Sequence, residues 1–337
     1  MSVRTLAAAT APGAAPAGWG VRRAVRLAFP EPAPPAPDPE RTERLRVYLT
    51  DLLRPYGLAL GSEPPDRGGR AYGDLAAELI RRAVPAGEQV DLLVLAYAVP
   101  DVTPGRATAT WLSHVCPGSP LAFAVADQGP AAAFTALRLI HAYATTAALP
   151  RALLLVVEQP ALPYAPLTSP GPGGTVAAAY PPPEPAAADG SPAPPTPDAR
   201  AAVPGPPLLP DAAYGVALLL GPPAPGEQPA GLGALRTGDA TAADVHDALG
   251  AVAGDAVAVL GPGLGARDLG AGTRLRHAAA TRPGTGVWWE LADALAQPSP
   301  APRRLVLADR APASEGLALA ALDLPPVTTR EPAGATR

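Results

Sequence analysis

Two residue types are missing from this sequence altogether, lysine and asparagine, and all 26 of its basic residues are arginine. Without lysine, a Schiff-base mechanism and a phosphate-binding loop that ends in lysine are excluded. Without asparagine, every mechanism that needs its side chain is excluded. The single cysteine, Cys116, excludes an intramolecular disulfide and a multi-cysteine metal site, which fits a reducing cytoplasm.

The sequence also lacks a positive charge excess and long hydrophobic runs. A net charge of -4 argues against nucleic acid as a partner, because phosphate neutralisation needs a basic face. The longest apolar runs, Asp91 to Pro100 and Arg151 to Glu158, are half of the roughly 20 residues that a membrane span needs. The apolar residues before Gly20 are interrupted by Pro12 and Pro16, which argues against a signal peptide. We therefore expect a soluble, cytoplasmic protein with neither nucleic acid nor membrane as a partner.

What the sequence has in excess is proline and glycine, with 48 and 34 residues. Its 337 residues predict two domains or one large duplicated fold. The segment from Phe29 to Arg41 is predicted as a loop and Gly221 to Gly233 as a turn-rich break. The low-complexity stretch from Pro160 to Pro207 is predicted to be a mobile insertion, with a proline-rich recognition segment for a partner as the alternative.

Elsewhere the hydrophobic pattern alternates between helices and short buried strands. Apolar residues spaced three and four apart predict helices, and short continuous apolar runs predict strands. The predicted helices are Glu40–Leu53, Tyr72–Val84, Gly105–His114, Gly129–Ala148, Thr241–Val252 and Val287–Ala296. The predicted strands, besides one at the N-terminus, are Asp91–Tyr97, Leu121–Ala126, Ala152–Val157, Tyr214–Leu220, Asp255–Leu260, Arg304–Ala308 and Gly316–Asp323. This order predicts an α/β fold around a mostly parallel sheet, in which the second half repeats the first.

Four stretches together resemble the thiolase-fold ketosynthases, in particular the ketoacyl synthase III group. They occur in the family's order and span most of the chain: Asp91–Asp101 (DLLVLAYAVPD), Leu121–Leu139 (LAFAVADQGPAAAFTALRL), Asp211–Gly221 (DAAYGVALLLG) and Arg304–Asp323. The resemblance implies two similar halves, residues 1–220 with the Pro-rich insertion and residues 221–337, packed as duplicated α-β-α-β-α layers. It also implies pairing with a second subunit of the same fold.

The catalytic residues of that family are replaced in this sequence. The family joins acyl groups with a cysteine at the start of a buried helix, where the helix dipole and backbone amides favour a thiolate. The resemblance places Pro130 at the cysteine position and Pro262 at the histidine position. It places Gly284, followed by Thr285, at the asparagine position. The Cys, His and Asn triad of a condensing enzyme is therefore absent.

Three other residues are candidates for chemistry. Cys116 lies near His114, which is the pattern of an activated nucleophile, but an ordinary packed cysteine is the alternative. Asp127 and Gln128 lie at the turn that would face the substrate tunnel. Asp127 is a candidate base, or else a carboxylate that caps the following helix.

Neither a metal nor a bound cofactor is expected. The four histidines are widely spaced, with no pair at i, i+4, so a metal site is not predicted. The stretch from Leu260 to Ala266 contains Gly261 and Gly263 in a dinucleotide-like spacing. It lacks the acid that follows about twenty residues later in that motif, so a glycine-rich turn explains it better.

The leading hypothesis is a catalytically degenerate ketosynthase-like protein of fatty-acid or polyketide-type biosynthesis. It would be an accessory or partner subunit of an active ketosynthase or acyl carrier protein, in a homodimer or heterodimer, with acyl-CoA as a further ligand. The opposing hypothesis is a divergent acyltransferase, hydrolase or dehydratase-like enzyme that uses the same tunnel with Asp127 or another side chain. A third is a homodimeric relic that binds a small molecule.

Overall fold

The structure is a computed structural model that describes most of the chain outside the proline-rich stretches. The described residues are 18–29, 39–53, 70–101, 107–147, 149–160, 209–250, 255–269, 274–310 and 316–326. The predicted insertion from Pro160 to Pro207 and most of the predicted loop from Phe29 to Arg41 lie outside them.

The described elements alternate as the hydrophobic pattern predicts. The strands are β1 (Gly20–Phe29), β2 (Leu92–Ala96), β3 (Leu121–Val125), β4 (Ala152–Glu158), β5 (Ala213–Gly221), β6 (Ala230–Ala240), β7 (Asp255–Leu260), β8 (Leu275–His277), β9 (Arg303–Asp309) and β10 (Leu317–Leu324). The helices are α1 (Pro39–Leu53), α2 (Tyr72–Ala83), α3 (Thr108–Val115), α4 (Ala131–Thr146), α5 (Ala242–Gly250), α6 (Ala266–Leu269) and α7 (Gly286–Ala296).

Three of these elements are not predicted by the sequence, and one corrects an expectation. The predicted break from Gly221 to Gly233 is wrong at its end, because β6 begins at Ala230. β6 contains three glycines and several polar residues, a composition that disfavours a strand, and it is held by its pairing with β10. The hydrophobic pattern also does not predict the short elements α6 and β8, because segments of four and three residues are too short to show a periodicity.

The strand order shows the internal repeat directly. The described strands form one sheet in the order β3-β2-β4-β5-β1-β6-β10-β9-β7-β8. Read from its outer edge inwards, the second half runs β8-β7-β9-β10-β6 and matches the first half, β3-β2-β4-β5-β1. The halves join where Gly20 and Val21 of β1 pair with Gly231 and Ala230 of β6. In both halves the three outer strands are parallel. The five inner pairings are antiparallel, so the prediction of a mostly parallel sheet is wrong: continuous apolar runs report burial on both faces and do not fix strand direction.

Helices pack on both faces of the two halves of the sheet through three hydrophobic cores, which gives five layers. Alternate residues of a strand point to opposite faces, so Leu154 of β4 joins a central core and Leu155 an outer one. The central core contains α4 and α7 and draws on strands of both halves. α2 and α3 cover the outer face of the first half, and α5 covers that of the second. The arrangement is the predicted α-β-α-β-α stack, with both faces of the sheet buried as parallel strands require.

The two outer edges of the sheet differ in character. β3 is apolar and partly open, with Leu121 39% exposed, whereas β8 carries the exposed, polar side chains of Arg276 and His277. Every described helix is too short or too polar to cross a membrane.

Candidate functional site

The turn between β3 and α4 is a sharply bent elbow. Asp127 and Gly129 both have positive φ, at 61° and 52°, a conformation that residues other than glycine rarely adopt. The chain then enters α4 at Pro130, which is its N-cap residue. Backbone strain of this kind clusters at functional sites, so the elbow is the first part of the candidate site.

The start of α4 offers little to a reacting carbonyl group. Pro130 has neither a nucleophile nor a backbone N–H. The next two amides, of Ala131 and Ala132, donate to the carbonyl oxygens of Gln128 and Gly129 at 3.1 and 3.2 Å. The donors that would hold an oxyanion at this helix terminus are therefore absent or already used within the turn.

The two predicted elbow candidates, Asp127 and Gln128, are both exposed. The Gln128 side chain accepts a hydrogen bond from the Thr135 hydroxyl at 2.5 Å. Asp127 accepts none from the residues that the structure describes, and no side chain caps α4 at Pro130. Within the described ranges, the carboxylate of Asp127 therefore has no hydrogen-bond donor and does not serve as the helix cap.

Tyrosines lie beside the elbow. The ring centroids of Tyr72 and Tyr97 are 5.1 Å apart, and the Tyr72 hydroxyl donates to the carbonyl oxygen of Val99 at 3.0 Å. Burial raises the pKa of Tyr97, and the negative charge of Asp127 raises it further. Tyr97 is thus a neutral phenol next to the one exposed carboxylate of the elbow.

The turn after β7, where the resemblance places Pro262, is filled by Asp309. The carboxylate of Asp309 accepts hydrogen bonds from the amides of Gly263 at 3.2 Å and Arg310 at 2.8 Å. A Cβ atom on Gly261 would overlap this carboxylate, so only glycine fits there. Burial raises the pKa of Asp309 to about 7. Gly261 and Gly263, the glycines of the dinucleotide-like spacing, therefore accommodate and bind the Asp309 carboxylate.

The loop before α7, where the resemblance places Gly284, is held in the same way by Glu158. This carboxylate, 2% exposed, accepts a hydrogen bond from the Gly284 amide at 2.6 Å and one from the Thr285 hydroxyl. Burial raises the pKa of Glu158 to about 7, although both hydrogen bonds and the positive charge of Arg282 lower it.

Arg282 connects this loop to an aromatic cluster. Its guanidinium lies 4.4 Å from the ring centroid of Trp289 and 5.6 Å from that of Tyr214. The guanidinium of Arg26 lies 4.7 Å from the Trp289 ring. Cation–π contacts of this kind fix the position of the arginines, so the loop is braced by both the carboxylate and the stack.

Cys116 lies at the other end of β3 from the elbow. It follows α3, before β3 begins, and packs in the outer core of the first half at 3% exposed. Burial raises the pKa of its thiol to about 12. The thiolate, which is the nucleophilic form, is strongly disfavoured at neutral pH, and the neighbouring His114 is exposed.

Sequence reasoning missed Glu158 and Asp309. A signal was present, because each acid directly follows a continuous apolar run, ALLLVV before Glu158 and LVLA before Asp309. In parallel sheets the carboxyl ends of strands carry the binding crevice. Within the described part of the chain, no group of three or more His, Cys, Asp or Glu side chains lies close enough to hold a metal ion.

Known structures share this architecture at low sequence identity. The chain matches AbyA1, a tetronic acid condensing enzyme, at 16% identity and a TM-score of 0.52, over 91% of this chain and 99% of that one. This is the thiolase fold. Weaker matches are ChlB3, described as an acyltransferase, at 16% identity and a TM-score of 0.49 over 92% and 98% of the chains, and OleA of Xanthomonas campestris, at 12% and 0.48 over 90% and 98%. No protein-family model and no curated protein sequence matches the chain.

By their names, one of these neighbours is a condensing enzyme and another an acyltransferase. At such identities the likeness establishes the fold, and function depends on the residues of the site. The elbow, the Pro262 turn and the Gly284 loop carry no thiol or imidazole side chain, and two of them are braced by buried acids.

Proposed function

We propose that this chain is a catalytically degenerate, ketosynthase-like protein that acts as an accessory or partner subunit of an active ketosynthase or of an acyl carrier protein. The observation that carries the proposal is the start of α4 at Pro130. An acyl-transferring enzyme of this fold needs a thiolate there and an amide to hold the oxyanion, and proline supplies neither.

The position of the only thiol supports the same conclusion. Cys116 precedes β3, and the elbow follows β3. The thiol and the elbow therefore lie at opposite ends of a five-residue strand that is about 17 Å long. A buried thiol with a pKa of about 12 cannot replace the missing nucleophile at that distance.

The edges of the sheet support a partner. Leu121 on β3, Val115 at the end of α3 and Leu139 on α4 are large apolar side chains at least 36% exposed. An open, apolar edge strand is a template for pairing with another chain, whereas charged side chains protect an edge. β3 is the open, apolar edge and β8 is the edge with charged and polar side chains. We therefore place a second subunit of this fold at β3.

The proposal is tested by intact-protein mass spectrometry and co-purification. The chain is incubated with a panel of acyl-CoA and acyl-carrier thioesters, alone and with any intact ketosynthase encoded nearby. We expect no adduct on this chain, and a heterodimer with a changed rate or product length in the partner. A stable acyl adduct on the chain alone, or a partner enzyme whose association and products are unaffected, would contradict it.

A divergent enzyme is the second candidate, favoured by the exposed, strained Asp127 beside Tyr97. Such an enzyme would use the carboxylate as a general base. In that case Asp127→Asn abolishes turnover of an acyl thioester while the assembly state is retained. Equal turnover by wild type and Asp127→Asn would remove this candidate.

A further inference from the structure

The loop before α7 is bonded to the other half of the fold through a buried carboxylate. Residues 278–285 connect β8 to α7 in the second half, whereas Glu158 ends β4 in the first. The carboxylate accepts hydrogen bonds from the Gly284 amide at 2.6 Å and from the Thr285 hydroxyl. Because Thr285 is fully buried and Glu158 nearly so, the loop closes over the carboxylate and keeps water from it.

Further contacts between this loop and the first half lie nearer the surface. The Asp211 amide donates to the carbonyl oxygen of Thr281 at 3.3 Å, and both residues are exposed. The guanidinium of Arg282 lies 5.6 Å from the ring centroid of Tyr214, and Arg282 is half-buried. Hydrogen bonds exposed to water contribute little to keeping a segment closed, so the bonds to Glu158 are the contacts that decide whether the loop opens.

The groups that face Glu158 do not compensate its negative charge. Arg282, in the loop itself, lowers the pKa of Glu158, but burial raises it more, to about 7. Tyr72 on α2 and Tyr214 on β5 are neutral phenols, and the negative charge of Glu158 raises the pKa of each. Asp101, which follows β2, also raises the pKa of Tyr72 and so adds a negative charge nearby. The closed loop therefore favours the protonated acid, whereas water favours the carboxylate.

We propose that Glu158 is a proton-controlled latch on the loop of residues 278–285: the protonated acid keeps the loop closed, and loss of the proton shifts it to an open form in which water reaches the carboxylate. The latch goes beyond the proposed partner role, because it requires neither a second subunit nor a ligand. Opening frees the Gly284 amide and moves Arg282 away from Tyr214, so it changes the donors and the charge at the candidate site.

The direction of the effect follows from proton linkage. In the open form Glu158 has the pKa of an exposed glutamate, 4.5, and in the closed form a pKa of about 7. The equilibrium constant for opening therefore rises with pH between these two values and levels off above them. From pH 5.5 to pH 8 the increase is about 25-fold.

Hydrogen–deuterium exchange followed by mass spectrometry tests the latch on the full chain. Protection factors, corrected for the intrinsic pH dependence of amide exchange, are compared at pH 5.5 and pH 8 for a peptide that covers residues 278–286 and for one that covers β2. We expect the loop to be less protected than β2 at both pH values, because it opens locally. Its protection should fall about 25-fold at pH 8.

Three variants separate the latch from a general loss of stability. Glu158→Gln keeps the size of the side chain but cannot ionise, so the protection of the loop should no longer depend on pH. Asp309→Asn, at the buried acid that ends β9, is the matched control and should leave the pH dependence of the loop as in wild type. Thr285→Val removes a donor that lowers the pKa of Glu158, so the fall in protection should move to higher pH. Circular dichroism confirms that each variant is folded.

Loop protection equal to that of β2 would show that the loop opens only when the whole chain unfolds, and would overturn the proposal. So would an unchanged pH dependence in Glu158→Gln, or a pH dependence that Asp309→Asn abolishes. If Glu158→Gln does not fold, a fall in protection at the same pH in Thr285→Val and wild type overturns it instead.

Discussion

Glu158 and Asp309 occupy equivalent positions in the two halves of the fold. Each is the last residue of a seven-residue strand, β4 or β9, and each strand lies third from the outer edge of its half. Both carboxylates are 2% exposed and both accept an amide hydrogen bond from a glycine of a neighbouring loop, Gly284 or Gly263. The internal repeat thus places one buried acid under each of two loops of the candidate site.

These acids make the stability of the fold depend on pH. Burial raises the pKa of both to about 7, above the 4.5 and 3.8 of the exposed groups. Between those values the folded chain holds protons that the unfolded chain has lost, so the free energy of unfolding decreases as the pH rises toward 7 and is constant above it. For Glu158 the difference is on the order of 3 kcal/mol.

We therefore expect the protein to be more stable at pH 5 than at pH 8, as measured by urea denaturation. Glu158→Gln cannot ionise, so it should flatten this dependence, whereas Glu290→Gln on α7 should leave it unchanged. Acids whose pKa is lowered, such as Glu227 beside Arg22, lose their contribution only at lower pH. An unchanged slope in Glu158→Gln would show that this carboxyl titrates normally.

Thr285 provides an internal check on the same carboxylate. Its hydroxyl donates to Glu158 and lowers the pKa of Glu158. Thr285→Val should cost about 1–3 kcal/mol at pH 8, where the carboxylate is ionised and loses a donor, and less at pH 5. Thr285→Ser keeps the hydroxyl and should restore most of the loss.

The Pro262 turn should tolerate no side chain at Gly261. A methyl group there would overlap the Asp309 carboxylate, and overpacking of this kind costs roughly 1–3 kcal/mol. Gly261→Ala should therefore lower the free energy of unfolding, and should cost much less when Asp309 is already alanine. Gly265→Ala is the matched control, because its nearest neighbour, an Asp268 oxygen, is 3.5 Å away. Equal costs at both glycines would be inconsistent with this packing.

Cys116 should be inert in the folded protein. Its pKa of about 12 leaves almost no thiolate at pH 8, and its burial blocks access. Intact-mass measurement after iodoacetamide treatment should show no alkylation of the folded chain and complete alkylation in urea. Val115→Cys in a Cys116→Ala background places a thiol at a position 42% exposed and should react. Rapid alkylation of wild type would reopen the nucleophile hypothesis.

The free edge of β3 can be blocked without disturbing its pairing to β2. The Leu121 amide donates to Asp91 and the Val125 carbonyl accepts from Tyr97, so alternate residues face β2 and the Ala124 amide points outward. Ala124→Pro removes only that outward donor, and proline is tolerated on edge strands. We expect it to weaken self-association or association with a co-purified ketosynthase at least tenfold, as measured by light scattering after gel filtration.

The opposite edge supplies the control for this variant. On β8, the Ala278 amide donates to Leu260 and the Arg274 carbonyl accepts from Ala258, so the His277 amide also points outward. His277→Pro removes an equivalent donor from the charged edge and should leave association unchanged. An Ala124→Pro protein that associates as wild type would place the partner elsewhere.

The sequence by itself determined the order of helices and strands in the fold. It also determined that no asparagine can complete a Cys, His and Asn triad. The apolar runs of β2 and β4 are local signals, because a strand that is buried on both faces is built from apolar residues. The capping interaction between Thr241 and Asp244 that begins α5 is local as well. The absence of asparagine is a property of the composition and depends on no alignment.

Only the tertiary structure decided which residues meet at the site. Glu158 bonds to Gly284 across 126 positions of sequence, a contact that no local pattern encodes. β6 is a strand because β10 pairs with it, despite its glycines, and the apolar β3 and charged β8 became the edges only when the sheet was assembled. Periodicity reports how each segment is buried, whereas the ionisation of a buried acid and the openness of an edge depend on what the rest of the chain brings beside them.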